Sequence, residues 1–523
     1  MIQVWRVSDV RSAEQALMAT VAPGTLMHRA AAGLARRCAT LLAERGGVYG
    51  AEVLLLVGSG DNGGDTLYAG ARLARRGARV TAWLLRPDRA HCGGLAALRS
   101  AGGRVADGRT ADGAGRHADL IMDGIVGIGG TGGLREPAAG ALARAGELTS
   151  ARGGRPVLVA VDVPSGVAVD TGGVPDGAAV PSTGAGPARS GATGSGAAAV
   201  GRDTVRADVT VTFGCLKPAL MVGPAAVRAG HVELVDIGLR PWLRGTPAFE
   251  VPGRDDVSAW WPTLVPAAEK YTRGVVGVAT GSATYPGAAV LSVGGAVAGP
   301  TGLVRYAGSA AAQVLDRYPS VIATGRVADA GRVQAWVCGS GLGGGEHAVT
   351  ELRSVLAAPV PVVLDADALT MLVDGSWAEQ LRGRQAPTVI TPHDREFARL
   401  AGQPPGDDRV GAALRLAAWM RATVLLKGDR TVVAGPDGRA YVNATGTPAL
   451  ATGGTGDVLA GLLGSLLAAG LDPQRAALAA AYVHGLAGRA AARTGPVTAV
   501  EVAAALRPVV ADLTGGCQRS VGG

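Results

Sequence analysis

The chain has 523 residues, 48% hydrophobic and 18% charged, a balance that supplies a large core and excludes global disorder. Its 82 glycines and 29 prolines lack collagen's every-third-residue spacing and instead predict many tight loops, as an α/β protein needs. A formal charge of +8 favours anionic partners, but the arginines are dispersed, without interleaved aromatics. That argues against a nucleic-acid module and leaves phosphorylated small molecules.

The mean hydropathy is +0.24, yet the longest charge-free run, 274–304, is interrupted throughout by Gly, Pro, Ser and Thr, so no membrane span is expected. Arg6, Asp9, Arg11 and Glu14 leave no room for an apolar secretory stretch. Five scattered cysteines without a CxxC fit a reduced, cytoplasmic setting. Only three of the 50 basic residues are lysines (Lys217, Lys270, Lys427), and only two asparagines occur, Asn62 and Asn443. Where Arg is the default, each surviving Lys is a candidate for a place where the planar guanidinium fails, chance survival being the alternative.

Helical spacing over residues 10–45 predicts one or two amphipathic helices. A strand at 52–57, a loop at 58–65, a helix at 67–76 and a strand at 78–85 then form a right-handed crossover unit, with further strands at 118–123 and 156–161. Residues 172–203 are Gly, Ala, Ser and Pro with almost no large apolar side chain, and 176–203 in particular is expected to be a flexible insertion. The strand at 207–213 rejoins the first sheet. Pro, Gly and charges gather at 242–255, which is expected to link a domain at 1–241 to a second at 256–515, followed by a short tail. The second series has strands at 274–280, 333–338, 360–365, 387–391, 422–427 and 430–434.

Three strand-end motifs in the first half can converge, because ligands of open α/β sheets collect at the carboxyl ends of strands. VGSGDNGGDT (57–66) interleaves glycines with Asp61, Asn62 and Asp65, a content suited to sugar hydroxyls, an amide or a hard monovalent cation rather than a plain phosphate cradle. MDGIVGIGGTGG (122–133) brings Asp123, and VDVPSGVAVDTG (161–172) brings Asp162 and Ser165. In the second half, ATGGTGDVLAGLLG (451–464) feeds a glycine turn into a helix, whose free N–H groups form an anion hole, with Asp457 at its start as a base toward a hydroxyl. A helix cap is the simpler role for that aspartate. VLLKGDRTVV (424–433) puts Lys427 at a strand end, and TPHDREFARL (391–400) puts His393 and Glu396 at a strand-to-helix turn.

With VTFGCLKPAL (211–220), the first-half motifs resemble the NAD(P)H-hydrate epimerase domain over roughly residues 5–240. The resemblance implies a Rossmann-like three-layer α/β/α fold. It implies that Asp61, Asn62, Gly63, Gly64 and Asp65, together with Gly127, Ile128, Gly129, Gly130, Thr131, Gly132 and Gly133, contact the hydrated dinucleotide. Asp162 would lie at the damaged ring, and Asn62, Asp123 and Ser165 would bind potassium. The family usually has Asn at the position of Asp61 and Gly at that of Thr66. KYTRGVVGVATGS, YPGAA, GSGLG, DADAL, TPHDREFARL, LLKGDRTVV and GGTGDVLAG together resemble the ADP-dependent NAD(P)H-hydrate dehydratase domain, which is ribokinase-like. That implies hydrate contacts at Ala288, Gly341, His393, Asp394, Glu396 and Asp457. It places the nucleotide at Lys427, Gly428, Asp429, Arg430, Thr431, Gly453, Gly454, Thr455 and Gly456. The expectation is therefore a bifunctional repair enzyme, with Asp457 and Asp162 as its catalytic carboxylates. Its partners would be NADHX or NADPHX and ADP, its ions K⁺ in the epimerase and Mg²⁺ in the dehydratase, and it is expected to be a homo-oligomer. The alternative is a ribokinase-like vitamin-type kinase fused to a non-catalytic dinucleotide-binding domain.

Overall fold

A computed structural model describes residues 1–106, 117–130, 132–150, 152–174 and 206–518, with 516–518 described by backbone alone. The expected insertion at 176–203 and Thr131 lie outside the described residues. The chain divides into one unit at Gln3–Ala248 and another at Phe249–Gly523 together with Met1–Ile2.

A short strand β1 (Ile2–Val4) and two helices, Val7–Met18 and Thr25–Ala43, open the chain. The first unit's sheet contains β2 (Glu52–Val57), β3 (Arg79–Leu84), β4 (Arg104–Ala106), β5 (Leu120–Gly124), β6 (Val157–Val161), β7 (Val209–Phe213) and β8 (His231–Val235). Their spatial order is β4-β3-β2-β5-β6-β7-β8, every neighbouring pair parallel. Alternation along β2 drives both faces inward: Val53, Leu55 and Val57 pack with the N-terminal helices, while Leu56 packs with Trp83, Ile121 and Leu142 on the other side. The order reverses between β2 and β5, the switch point where a crevice forms.

The expected loop at 58–65 and helix at 67–76 are corrected here: the helix runs Asp61–Ala74, capped by an extended Gly60. Two glycines inside its first turn disfavour a helix by propensity. Tight packing overrides that, because a Cβ on Gly63 would lie 2.3 Å from the Gly58 carbonyl oxygen and one on Gly64 2.8 Å from the Met27 Cε.

The second unit's sheet contains β9 (Phe249–Val251), β10 (Val275–Ala279), β11 (Leu303–Ala307), β12 (Ile322–Thr324), β13 (Ala335–Cys338), β14 (Val362–Leu364), β15 (Thr388–Ile390), β16 (Thr423–Leu426), β17 (Thr431–Ala434) and β18 (Ala440–Asn443). They run in the order β9-β18-β17-β16-β15-β14-β13-β10-β11-β12, parallel except for the two antiparallel pairings of β17. Strand β9 and the start of helix Arg254–Trp260 fall inside the expected linker at 242–255. Helix Thr455–Ala468 lies against helix Pro286–Ala298 almost backbone to backbone: a Cβ on Gly461 would sit 1.9 Å from the Ser292 carbonyl oxygen, and one on Gly295 2.0 Å from that of Val458. Among the described residues no helix is long and apolar enough to cross a membrane. Cys38, Cys92, Cys215 and Cys338 are free thiols.

Candidate active sites

In the first unit a cavity of about 880 Å³ is lined by the segments that follow β2, β5 and β6 and by the two N-terminal helices. Asp123, at the end of β5, is fully buried. Its Oδ1 accepts from the Ser165 hydroxyl at 2.7 Å and its Oδ2 from the Ser165 N–H at 2.9 Å, which ties the loop after β6 to β5. Burial pushes the Asp123 carboxyl above its usual range, against the pull of those hydrogen bonds. Asn62 faces the loop after β5: a Cβ on Gly127 would lie 3.1 Å from its Oδ1, while its Nδ2 is buried without a partner.

Asp162 follows β6 at φ 68°, an uncommon conformation for a residue with a side chain. Its Oδ1 accepts from the Lys217 ammonium at 2.6 Å and from the Thr212 hydroxyl at 3.0 Å. Lys217 is 1% exposed and spends its other donors on Thr212 Oγ1 and the Phe213 carbonyl, both at 2.9 Å. Asp65, also lining the cavity, is buried with Oδ1 unpartnered. Burial, then the Asp162, Asp61 and Glu14 carboxylates, push its carboxyl well above the usual range, with Lys217 opposing. Tyr68 completes the wall, edge-on to the rings of His28 and His91 at 4.7 and 5.7 Å. Thr66 is buried away from the lining; its hydroxyl donates to the Asn62 carbonyl at 2.7 Å and fills the space that Gly124 leaves open.

In the second unit the helix that carries Asp457 starts at Thr455, with Gly454 as its N-cap at φ 87° and no side-chain cap. Asp457 is therefore the third helical residue, and the cap role is excluded. Burial first and Asp365 second raise its pKa to about 7, while a Ser340 hydrogen bond and Lys427 oppose the rise. Asp365 Oδ1 accepts from Lys427 Nζ at 2.7 Å and from the Thr391 hydroxyl at 2.9 Å, and Glu396 Oε2 lies 3.7 Å from the same ammonium. Burial would lower the Lys427 pKa, but Asp365, Glu396 and Asp457 outweigh it and keep the ammonium charged. A Cβ on Gly456 would stand 3.4 Å from Lys427 Nζ and 3.6 Å from Asp365 Oδ2, so the glycine turn, the lysine and the carboxylates meet. Ala366, between Asp365 and Asp367, has φ 49°, and Asp367 Oδ2 accepts from the Gly343 N–H at 2.8 Å. His393 caps helix Asp394–Ala401 through Nδ1, and Glu396 returns the bond to the His393 N–H at 2.8 Å. A Cβ on Gly341 would sit 2.7 Å from that of Ala288, which joins the loop after β13 to the start of helix Pro286–Ala298.

Residues 23–219 match the family described as YjeF-related protein N-terminus, and residues 276–507 match NAD(P)H-hydrate dehydratase. The bifunctional NAD(P)H-hydrate repair enzyme Nnr of Mycobacterium tuberculosis is 48% identical over 474 residues, 90% of each chain. Its Mycobacterium leprae counterpart is 47% identical over 496 residues, covering 94% of this chain and 95% of that one. The chain belongs to the bifunctional NAD(P)H-hydrate repair enzyme family. A solved ADP/ATP-dependent NAD(P)H-hydrate dehydratase from Bacillus subtilis, co-crystallised with ATP/Mg²⁺, is 28% identical, covers 51% of this chain and 99% of its own, and has a TM-score of 0.46.

Within this repair-enzyme chain, Asp61, Asn62, Asp65, Gly127, Ile128, Gly129 and Asp162 all line the first cavity. Gly63 and Gly64 are buried in the helix start, and the Gly133 N–H donates to the Gly166 carbonyl at 2.9 Å. Gly130 N–H bonds the Gly127 carbonyl, and Gly132 takes φ 99°. In the second unit Thr431 Oγ1 donates to the Gly428 carbonyl at 3.0 Å and Arg430 N–H to Asp429 Oδ1 at 2.8 Å, shaping the β16–β17 turn beside Lys427. Asp394 is exposed and ion-paired with Arg409 at 2.9 Å. Lys270 is exposed over the Tyr271 ring. Asn443 is structural: its Nδ2 donates to the Ala481 carbonyl at 3.0 Å.

Lys217 and Asp365 lie in motifs of the sequence without a role assigned there, and Glu14, His28, Tyr68 and His91 lie outside every motif. Rarity marks Lys217 and the DADAL motif contains Asp365, whereas nothing local marks the other four. Among the described residues no three His, Cys, Asp or Glu side chains converge as a metal site.

Proposed function

We propose that the second site dehydrates the S hydrate of NADH or NADPH at the expense of ADP, and that the first interconverts the R and S hydrates. Asp457 carries the dehydratase reading. It is not a cap, and its pKa of about 7 suits a base that works near neutral pH. In this reading Asp457 takes the proton of the ring C6 hydroxyl as that oxygen attacks the terminal phosphoryl group of ADP, releasing AMP. The ring nitrogen lone pair then expels phosphate, and loss of a C5 proton restores the dihydropyridine. Lys427 and the Gly453–Gly456 N–H groups neutralise the transferring group. Mg²⁺, held mainly by the nucleotide's own phosphates with Asp365 as an oxygen ligand, would add charge neutralisation. Asp365 Oδ2, opposite the oxygen that holds Lys427, is a hard donor of the kind that ion takes.

For the first site, Asn62, Asp123 and Ser165 offer an amide, a carboxylate and a hydroxyl, a donor set that suits potassium. The buried Asp123 has no cationic side chain paired with it among the described residues. The ion would supply positive charge beside the substrate. Incubating the protein with pure S hydrate and ADP should restore the near-ultraviolet absorbance of the reduced nicotinamide with stoichiometric AMP and phosphate. Production of a stable phosphorylated substrate instead would mark a kinase.

A further inference from the structure

Asp65 and Asp162 line one cavity in opposite circumstances. Asp162 is tied through Oδ1 to a fully buried ammonium, and among the described residues all hydrogen bonds to its carboxyl group fall on that oxygen. Asp65 projects from the first turn of helix Asp61–Ala74, is 8% exposed, and has a buried Oδ1 with no partner and no ion pair among the described residues. A carboxylate in that setting is costly, whereas a neutral carboxyl is far less so. The groups facing it sharpen the contrast. Asp162, Asp61 on its own helix and Glu14 from helix Val7–Met18 are negative, and Lys217 is already bound to Asp162. Arg11 lines the cavity, and His28 and His91 sit against Tyr68. Two carboxyl groups in one cavity, one tied to an ammonium and one buried without a partner, can divide the roles of base and acid.

We propose that Asp65 and Asp162 form an acid–base pair for epimerisation, Asp65 giving its proton to the C6 hydroxyl as it leaves and Asp162 accepting a proton from the water that returns. This rests on the epimerase reading of the first site. The C6–O bond breaks, the hydroxyl departs as water with the Asp65 proton, and the N1 lone pair forms N1=C6. A water then adds to the other face of C6 and loses its proton to Asp162. Exchange with solvent returns a proton to Asp65 and removes one from Asp162, so nothing is oxidised or reduced. Each turnover therefore replaces the C6 oxygen with one from solvent.

The test uses the full-length chain and purified R hydrate in ¹⁸O-labelled water, comparing wild type with Asp65→Asn. Wild type should incorporate one label per epimerisation. Asp65→Asn should epimerise ~10²–10⁴-fold more slowly, lose the alkaline limb of its pH profile, and still dehydrate S hydrate at the wild-type rate. Because it removes a buried ionisable group, it should also melt no lower than wild type at neutral pH. Epimerisation within about threefold of wild type would overturn the role of Asp65, as would label-free turnover by wild type. A wild type that does not epimerise at all would instead sink the epimerase reading of this site.

Discussion

Asp457→Asn preserves shape and removes the base, so dehydration should fall ~10²–10⁴-fold while exchange between R and S hydrates continues. The wild-type dehydration rate should rise as pH climbs through about 7, where Asp457 loses its proton. The same residue costs stability. Its folded pKa lies above the ordinary 3.8, so its contribution is fully present below about 4 and is lost as pH rises through about 7. Asp457→Asn should therefore melt above wild type at mildly alkaline pH and match it in acid; equal melting at both would contradict the burial argument. Lys217→Met should cost ~3–5 kcal/mol in denaturant titration by stranding Asp162. Adding Asp162→Asn should restore much of that loss while leaving epimerisation absent, and strict additivity would show that the pair is not coupled. Asp162 and Asp457 are legible because strand-end and glycine-turn motifs announce them. The setting of Asp65 is not, because Glu14, Asp162 and Lys217, which face it, come from distant segments of the chain.

The helix Thr455–Ala468 aims its N-terminus at Lys427 and Asp365, and the close backbone packing of Gly461 and Gly295 holds it there. Gly456 has an ordinary backbone conformation, so Gly456→Ala should fold normally yet place a methyl where the phosphates must approach. We expect the KM for ADP to rise at least tenfold with a melting temperature close to wild type; an unchanged KM would move the nucleotide away from this turn. At the level of elements, hydrophobic runs make the central strands of both sheets plain. The edge strand β12 buries too few residues to stand out, and β18 is only four residues long. The early start of helix Asp61–Ala74 escapes a sequence reading because DNGG has turn composition, and only the backbone contacts at Gly58 and Gly63 show why it coils.

Over the whole molecule, two α/β units each bring their candidate site residues to strand ends, and the charge of +8 suits phosphate-bearing substrates. The strand-to-helix order and the breaks in periodicity make the two-unit plan legible. The point of division is less so, because β9 continues a sheet across what composition marks as a linker. If Asn62, Asp123 and Ser165 hold potassium, replacing K⁺ by a bulky organic cation should slow epimer exchange while sparing dehydration of pure S hydrate; equal exchange in both salts would remove that assignment. The most direct test of the whole account is to give the protein a mixture of R and S hydrates with ADP and follow the absorbance of the reduced nicotinamide. The account predicts recovery of the entire mixture faster than spontaneous epimerisation allows, and in Asp162→Asn a fast phase that stops at the S fraction. Recovery limited to the S fraction in wild type, or no recovery at all, would contradict it.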